Sequence, residues 1–224
     1  MMRTGELDSD YRNFRFSEIN EPQYRHLKWL LFWPVFGLRY LFVENLNPAE
    51  TYTVIHCSLD DRIPFCEVFL IFYVLWYVTI IGIHLYTLLF DLEAYKSYSK
   101  FLLISISIST TIFLIFPSCQ ELRPETFPRD NILTKLVGMI YRCDTNTNVF
   151  PSEHAIGAFG VLAAVIHTKR LRKPKIIAVT VVLTVLVAMS TVFLKQHSVL
   201  DVLAAIPVSA IAYWFSFRRR KKYE

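Results

Sequence analysis

Apolar residues fall in long, nearly uncharged blocks along this chain, rather than in the one-sided stripes of helices that pack on a soluble core. A bilayer core about 30 Å thick takes roughly 20 mostly apolar residues per helix. The blocks predict six membrane spans, at 29–43, 68–90, 101–120, 155–166, 176–194 and 202–217. Pro34 and Arg39 interrupt the first span, and the fourth reaches a full crossing by starting near Pro151. We therefore predict an all-α, six-transmembrane-helix bundle over residues 28–217.

The composition agrees with this membrane interpretation. Of the 224 residues, 54% are hydrophobic and 19% are charged, and the mean hydropathy is +0.36. Soluble domains usually carry about 25% charged residues. With only six glycines and no internal repeat, fibrous and disordered classes are excluded as well.

The distribution of Lys and Arg predicts the orientation. Six spans put both termini on one side, and seventeen of the 24 Lys and Arg residues fall on that side. The positive-inside rule then places the segments 1–27 and 218–224 in the cytoplasm. We expect the plasma membrane as the location. We expect no nucleic-acid partner, because the basic residues are dispersed on loops without an aromatic stacking surface.

Polar residues from three distant parts of the chain meet at the opposite, non-cytoplasmic end of this predicted bundle. Arg123 follows the third span, Ser152 and His154 open the fourth, and His197 and Asp201 open the sixth. Ionisable residues at span ends are costly unless they pair or function. The sequence therefore predicts a functional site at this end.

Each of these runs also has an ordinary structural interpretation. Ser152 is either a helix N-cap or part of an anion site at a helix N-terminus. His197 and Asp201, spaced i and i+4, either tie down a helix end or orient an imidazole whose Nε2 is free to react. Arg123 alone is an ordinary snorkelling anchor.

Together the three runs resemble the type 2 phosphatidic acid phosphatase superfamily, which shares its helical core with vanadium haloperoxidases. That family carries K-x6-R-P, then P-S-x-H, then S-R-x5-H-x3-D. Residues 151–154 match the second motif in full, Arg123 and Pro124 match the end of the first, and the third is matched by Ser190, His197 and Asp201. The resemblance covers residues 60–215.

The resemblance implies an integral membrane lipid phosphatase that works through a phosphohistidine and needs neither metal nor cofactor. It implies catalytic roles for His154, His197 and Asp201. It also implies substrate phosphate binding by Arg123, Ser152 and Ser190, and Lys195 is a further candidate for that role. The expected partners are a lipid phosphate substrate and membrane lipids, and the sequence gives no prediction of the oligomeric state.

Two departures from the family pattern leave alternatives open. Phe116 stands where the family has Lys, and Thr191 stands where it has Arg. A monoester dianion needs more positive charge than a diester monoanion, so a phosphotransferase similar to sphingomyelin synthases is one alternative. A non-catalytic transport or scaffold protein is another. Two histidines and a carboxylate also describe an iron facial triad, but Arg123 and a helix N-terminus would repel a cation.

All four cysteines fall on the predicted non-cytoplasmic side, where disulfides can form. They are Cys57, Cys66, Cys119 and Cys143. A bridge from Cys119 to Cys143 would brace the loop between the third and fourth spans. Free thiols are the other interpretation.

Overall fold

The computed structural model describes residues 11–12, 14–46 and 49–218. Most of the predicted basic tail, and the beginning of the predicted N-terminal segment, lie outside these ranges. The described residues form an all-helical bundle, as predicted, with one two-residue parallel strand pair, β1 (Thr53–Val54) and β2 (Ser118–Cys119). Its α-helices are α1 (Phe32–Leu41), α2 (Ser58–Arg62), α3 (Leu70–Phe90), α4 (Leu92–Ile115), α5 (Ile132–Cys143), α6 (Glu153–His167), α7 (Pro174–Phe193) and α8 (Val199–Phe217).

Four helical segments in the described chain are long and apolar enough to cross a membrane. They are Glu67–Phe90, Leu92–Ile115, Pro174–Phe193 and Val199–Phe217. The predicted fourth span is the apolar helix α6, which has only 15 residues. The predicted six-span count is therefore not confirmed, although the membrane character of the bundle is supported.

The predicted first span is helical but irregular. A 3-10 segment, Arg25–Leu31, precedes α1, and a π-helical turn, Phe42–Leu46, follows it. Pro34 lies in the first turn of α1, where its missing N–H matters least. The helix is thus divided into three types of turn, and no single regular helix of crossing length forms.

The third predicted span begins earlier than the hydropathy pattern indicates. The Asp91 side chain accepts a hydrogen bond from the Ala94 N–H at 2.9 Å and so caps α4 nine residues before position 101. Pro117 follows the end of α4 and prevents its continuation to position 120. An N-cap and a proline, rather than hydropathy, set the two ends of α4.

Helix α6 occupies the centre of the bundle and contacts α3, α4, α7 and α8. Close packing there depends on two glycines: a Cβ atom at Gly157 would lie 2.6 Å from Trp76 Nε1, and one at Gly160 would lie 2.6 Å from Phe101 Cε1. Small residues of this kind let helices approach closely where no water drives them together.

The outer faces of the long helices carry large apolar side chains. A soluble protein rarely exposes so continuous an apolar surface, whereas lipid would cover it. Examples on α3, α7 and α8 are Ile71, Val74, Val78, Val179, Val182, Leu203, Ile206 and Phe215.

All four cysteines are free thiols, with Cys143 exposed and the other three partly buried. Of the two interpretations that the sequence left open, the structure contains the one without a bridge. The loop between α4 and α6 is held instead by polar contacts. The buried Glu67 carboxylate, for example, accepts hydrogen bonds from Arg129 Nε at 2.6 Å and from Asn131 Nδ2 at 2.8 Å.

Candidate active site

His197 and Asp201 lie at the start of α8, and their side chains are in contact. His197 Nδ1 is 3.2 Å from Asp201 Oδ2, and the same oxygen accepts the Ser198 N–H at 2.9 Å. Asp201 is fully buried, while His197 retains 8% of its surface. Because the carboxylate contacts Nδ1, the ring is oriented with Nε2 as the nitrogen available for chemistry.

His154 lies in the first turn of α6, next to His197. The centroids of the two imidazole rings are 5.9 Å apart. The His154 ring packs between Tyr73 and Trp76, with centroid distances of 4.5 Å to each. Its Nε2 atom is buried and has no hydrogen-bond partner among the described residues. The structure thus brings together the two histidines and the aspartate that the sequence singled out.

The two motif regions are also joined through their backbones. The Ser152 N–H, just before α6, donates to the Asp201 carbonyl at 3.0 Å. This bond fixes the start of α6 against the first turn of α8. The relative position of His154 and His197 therefore depends on a direct link between their helices.

Asp60, in the short helix α2, holds the turn that carries His197. Its carboxylate is fully buried and accepts hydrogen bonds from the Ser198 hydroxyl at 2.6 Å and from the N–H groups of Val199 and Cys57, each at 2.8 Å. Burial by itself would raise the pKa of Asp60, but these donors hold it below its usual value. The adjacent acidic pair at 60–61 was the only sequence signal for this role.

A cavity of about 80 Å³ lies beside the two imidazoles. It is lined mainly by polar and charged side chains, which come from α1 and the turn after it, α4, the α5–α6 loop and the two motif regions. Its lining residues are Arg39, Tyr40, Glu44, Phe113, Asp144, Thr145, Thr147, Asn148, Val149, Glu153, His154, Gln196 and His197. A second cavity, of about 150 Å³, shares Phe113 and Asn148 with it.

Three carboxylates line the first cavity, and sequence reasoning identified none of them. Asp144 accepts hydrogen bonds from the hydroxyls of Tyr40 and Tyr73, each at 3.1 Å. Glu44 accepts from the Thr147 hydroxyl at 2.7 Å and from Asn148. Glu153 pairs with Arg39 Nη2 at 2.6 Å. Glu153 occupies the variable position of the motif at 151–154, and Glu44 and Asp144 lie outside the motifs, so the motifs gave no signal for this arrangement.

Arg123 lies near the site, and both of its terminal nitrogens donate to the protein itself, while its buried Nε has no partner among the described residues. Its Nη2 donates to Gln196 Oε1 at 2.6 Å and to the Thr145 carbonyl at 2.8 Å, and Nη1 donates to the Tyr141 carbonyl at 3.1 Å. The guanidinium carbon also lies 4.5 Å from the centre of the Tyr141 ring. Arg123 therefore organises the loop beside the cavity, and its role in phosphate binding stays a prediction.

The other predicted phosphate ligands are engaged within the protein and do not line the cavity. Ser152 caps α6, its Oγ accepting the Ala155 N–H at 3.4 Å. Ser190 donates to the Val187 carbonyl at 2.6 Å. Lys195 Nζ donates to the carbonyls of Asp60 and Ile63, and burial lowers its pKa. Phosphate binding by Ser152, Ser190 and Lys195 also stays a prediction.

Comparison with known proteins gives one family match. The family model described as the PAP2 superfamily matches residues 97–223. This range contains His154, His197 and Asp201, but it excludes the segments that carry Arg39 and Asp60. No curated protein and no solved structure matches the chain.

Proposed function

Because this chain belongs to the PAP2 superfamily, we propose that it is an integral membrane lipid phosphatase. It hydrolyses a phosphate ester or diphosphate of a lipid through a phosphohistidine intermediate. The observation that carries the proposal is the pair of imidazoles, His154 and His197, 5.9 Å apart beside a polar cavity in an apolar bundle.

In the first step, the Nε2 lone pair of His197 attacks phosphorus. A P–N bond forms, the bond from phosphorus to the lipid oxygen breaks, and His154 protonates the departing alkoxide. Asp201, in contact with Nδ1, stabilises the positive charge that develops on the ring. Such acid–base assistance is typically worth about 10²–10⁴-fold in rate.

In the second step, His154 removes a proton from water as the water oxygen attacks the phosphohistidine. The P–N bond breaks, phosphate leaves, and His197 returns to its starting state. His154 Nε2 has no hydrogen-bond partner among the described residues, so no described group competes for the proton that it gives up and takes back. One residue serves as acid and then as base.

A lipid substrate suits the setting of the site. The cavity that His154 and His197 line lies in a bundle whose long helices carry large apolar side chains on their outer faces. A phosphate headgroup would occupy this cavity, while the lipid chains stay with those apolar outer faces. We propose that this end of the bundle faces the non-cytoplasmic side of the plasma membrane and that the termini are cytoplasmic, as the Lys and Arg distribution indicates.

A second candidate is a phosphotransferase that moves a phospho-headgroup from one lipid to another. The charge of the cavity favours it: three carboxylates and one arginine line the described cavity. A phosphodiester monoanion needs less compensating charge than a monoester dianion. In this reaction a lipid alcohol replaces water in the second step.

The test is a product assay by mass spectrometry on the purified full-length protein over a panel of lipid phosphates, with and without an acceptor lipid. Free orthophosphate identifies the hydrolase, and a new headgroup-bearing lipid identifies the transferase. His197→Ala should abolish either activity. The matched control is His56→Ala, since His56 is exposed and pairs with the exposed Asp61.

Turnover of no lipid by the wild-type protein would refute the enzyme proposal. It would leave the non-catalytic transport or scaffold alternative. Unchanged turnover in His197→Ala would instead refute the assignment of the nucleophile.

A further inference from the structure

The proposed chemistry lacks two positive charges that the family motifs normally supply. Phe116 replaces the motif Lys, and its ring packs 6.1 Å from that of Phe150. Thr191 replaces the motif Arg, and its hydroxyl donates to the Ala188 carbonyl within α7. Neither position therefore supplies a cation to the cavity.

Arg39 is the one Arg or Lys among the described residues that line the cavity. It belongs to α1, outside the range 97–223 that the family model matches. Its sequence signal was misleading, because an Arg in an apolar stretch reads as an interruption of a membrane span. The fold instead brings it to the cavity that His154 and His197 also line.

The guanidinium of Arg39 is held in place, but not all of its N–H donors have acceptors among the described residues. A guanidinium has five N–H donors in a planar fork. Nη2 donates to Glu153 Oε2 at 2.6 Å, while the buried Nε has no partner in the part of the chain that the structure describes. The guanidinium carbon lies 4.9 Å from the centre of the Phe36 ring, which fixes its plane. Donors thus remain for an anionic ligand.

From this geometry we propose that Arg39 binds the phosphoryl oxygens of the substrate and supplies a cation that the family motifs lack here. Glu153 neutralises and holds the guanidinium while the cavity is empty. Bidentate arginine is well matched to phosphate oxygens. The inference rests on the proposed phosphoryl chemistry and assigns its anion site to a helix outside the family core.

The experiment measures binding of inorganic phosphate to the purified full-length protein in two ways. One is the inhibition constant of phosphate against hydrolysis of a lipid phosphate. The other is the thermal stabilisation that phosphate gives, which needs no turnover. The variants are Arg39→Ala, Arg39→Lys and Glu153→Gln. The control is Arg142→Ala, since Arg142 is exposed and lies outside the cavity lining.

Loss of a charged hydrogen bond should weaken phosphate binding about tenfold to a hundredfold in Arg39→Ala. Arg39→Lys keeps the charge without the fork and should fall between Arg39→Ala and the wild type. Glu153→Gln removes a competing negative charge and should tighten phosphate binding, which a merely structural ion pair would not do. Arg142→Ala should match the wild type.

Phosphate binding by Arg39→Ala as tight as that of the wild type would overturn the inference. If Arg39→Ala does not fold, unchanged phosphate affinity in both Arg39→Lys and Glu153→Gln would overturn it equally. The two proposals fail separately. If phosphate binding depends on Arg39 but the protein turns over no lipid, only the enzyme proposal is refuted. If turnover requires His197 but phosphate affinity does not change in the Arg39 variants, only this inference is refuted.

Discussion

Asp60→Asn should destabilise the protein and disturb the turn that carries His197. The wild-type carboxylate accepts three short hydrogen bonds, from Ser198 Oγ, Val199 N and Cys57 N, in a fully buried setting. An Asn side chain has one acceptor oxygen and places N–H hydrogens against at least one of these donors. Hydrogen bonds to a buried charge contribute about 1.5–3 kcal/mol each and are not additive, so we expect a loss of about 2–4 kcal/mol.

Thermal unfolding of the detergent-purified protein measures this loss. For a chain of this size, about 1 kcal/mol corresponds to roughly 2–4 °C, so the Tm should fall by about 5–15 °C. The matched control is Asp61→Asn, whose carboxylate is exposed and pairs with the exposed His56. That variant should stay within about 0.5 kcal/mol of the wild type.

The pH dependence gives a second readout of the same contacts. The pKa of Asp60 is lowered in the folded protein by its donors. Its contribution to stability is therefore fully present above the unfolded-state pKa of about 3.9, and it is lost as the pH falls through the lower folded-state pKa. The difference in Tm between the wild type and Asp60→Asn should narrow in that acidic range. An equal Tm for the Asp60→Asn and Asp61→Asn variants at neutral pH would refute the stabilising role of the Asp60 hydrogen bonds.

Three further predictions follow from the site and the packing. Asp201→Asn should lower kcat/KM by about 10²–10⁴-fold in the lipid assay, because the carboxylate contacts His197 Nδ1; unchanged kinetics would contradict its role. Gly160→Ala should lower the free energy of unfolding by about 1–3 kcal/mol, since its Cβ would lie 2.6 Å from Phe101. Gly82→Ala is the control, because its Cβ would have no atom within 4 Å and should not destabilise the protein. An equal Tm for the two variants would contradict the packing argument. The exposed Cys143 should react with a membrane-impermeant maleimide on intact cells, with Cys143→Ser as the control; labelling only after permeabilisation would contradict the proposed exposure of this end at the cell surface.

The proposed anion site divides the chain into two functional parts. The family-matched range 97–223 carries His154, His197 and Asp201. The helices before it carry Arg39, which lines the cavity, and Asp60, which holds the turn that carries His197. A fragment limited to the matched range would therefore lack both Arg39, the proposed phosphate-binding cation, and Asp60, which holds the turn that carries His197.

The sequence by itself predicted the all-helical, membrane-like class of fold and the contact between His197 and Asp201. Long apolar blocks predict buried or lipid-facing helices because hydropathy is a local property of each segment. The i, i+4 spacing of His197 and Asp201 predicted their contact because helix geometry is also local, and the contact is present. Segment boundaries were less accurate, since the Asp91 cap starts α4 and Pro117 stops it, at positions that hydropathy does not mark.

Only the tertiary structure decided which distant residues complete the site. Arg39 meets Glu153 across 114 positions of sequence, and Asp60 meets Ser198 across 138. Lys195, a plausible phosphate ligand by sequence, instead binds carbonyl groups of the α2 segment. The physical reason is that side-chain hydrogen bonds are satisfied by whichever partners the packing of the helices brings near, and no local pattern in a single chain records that packing.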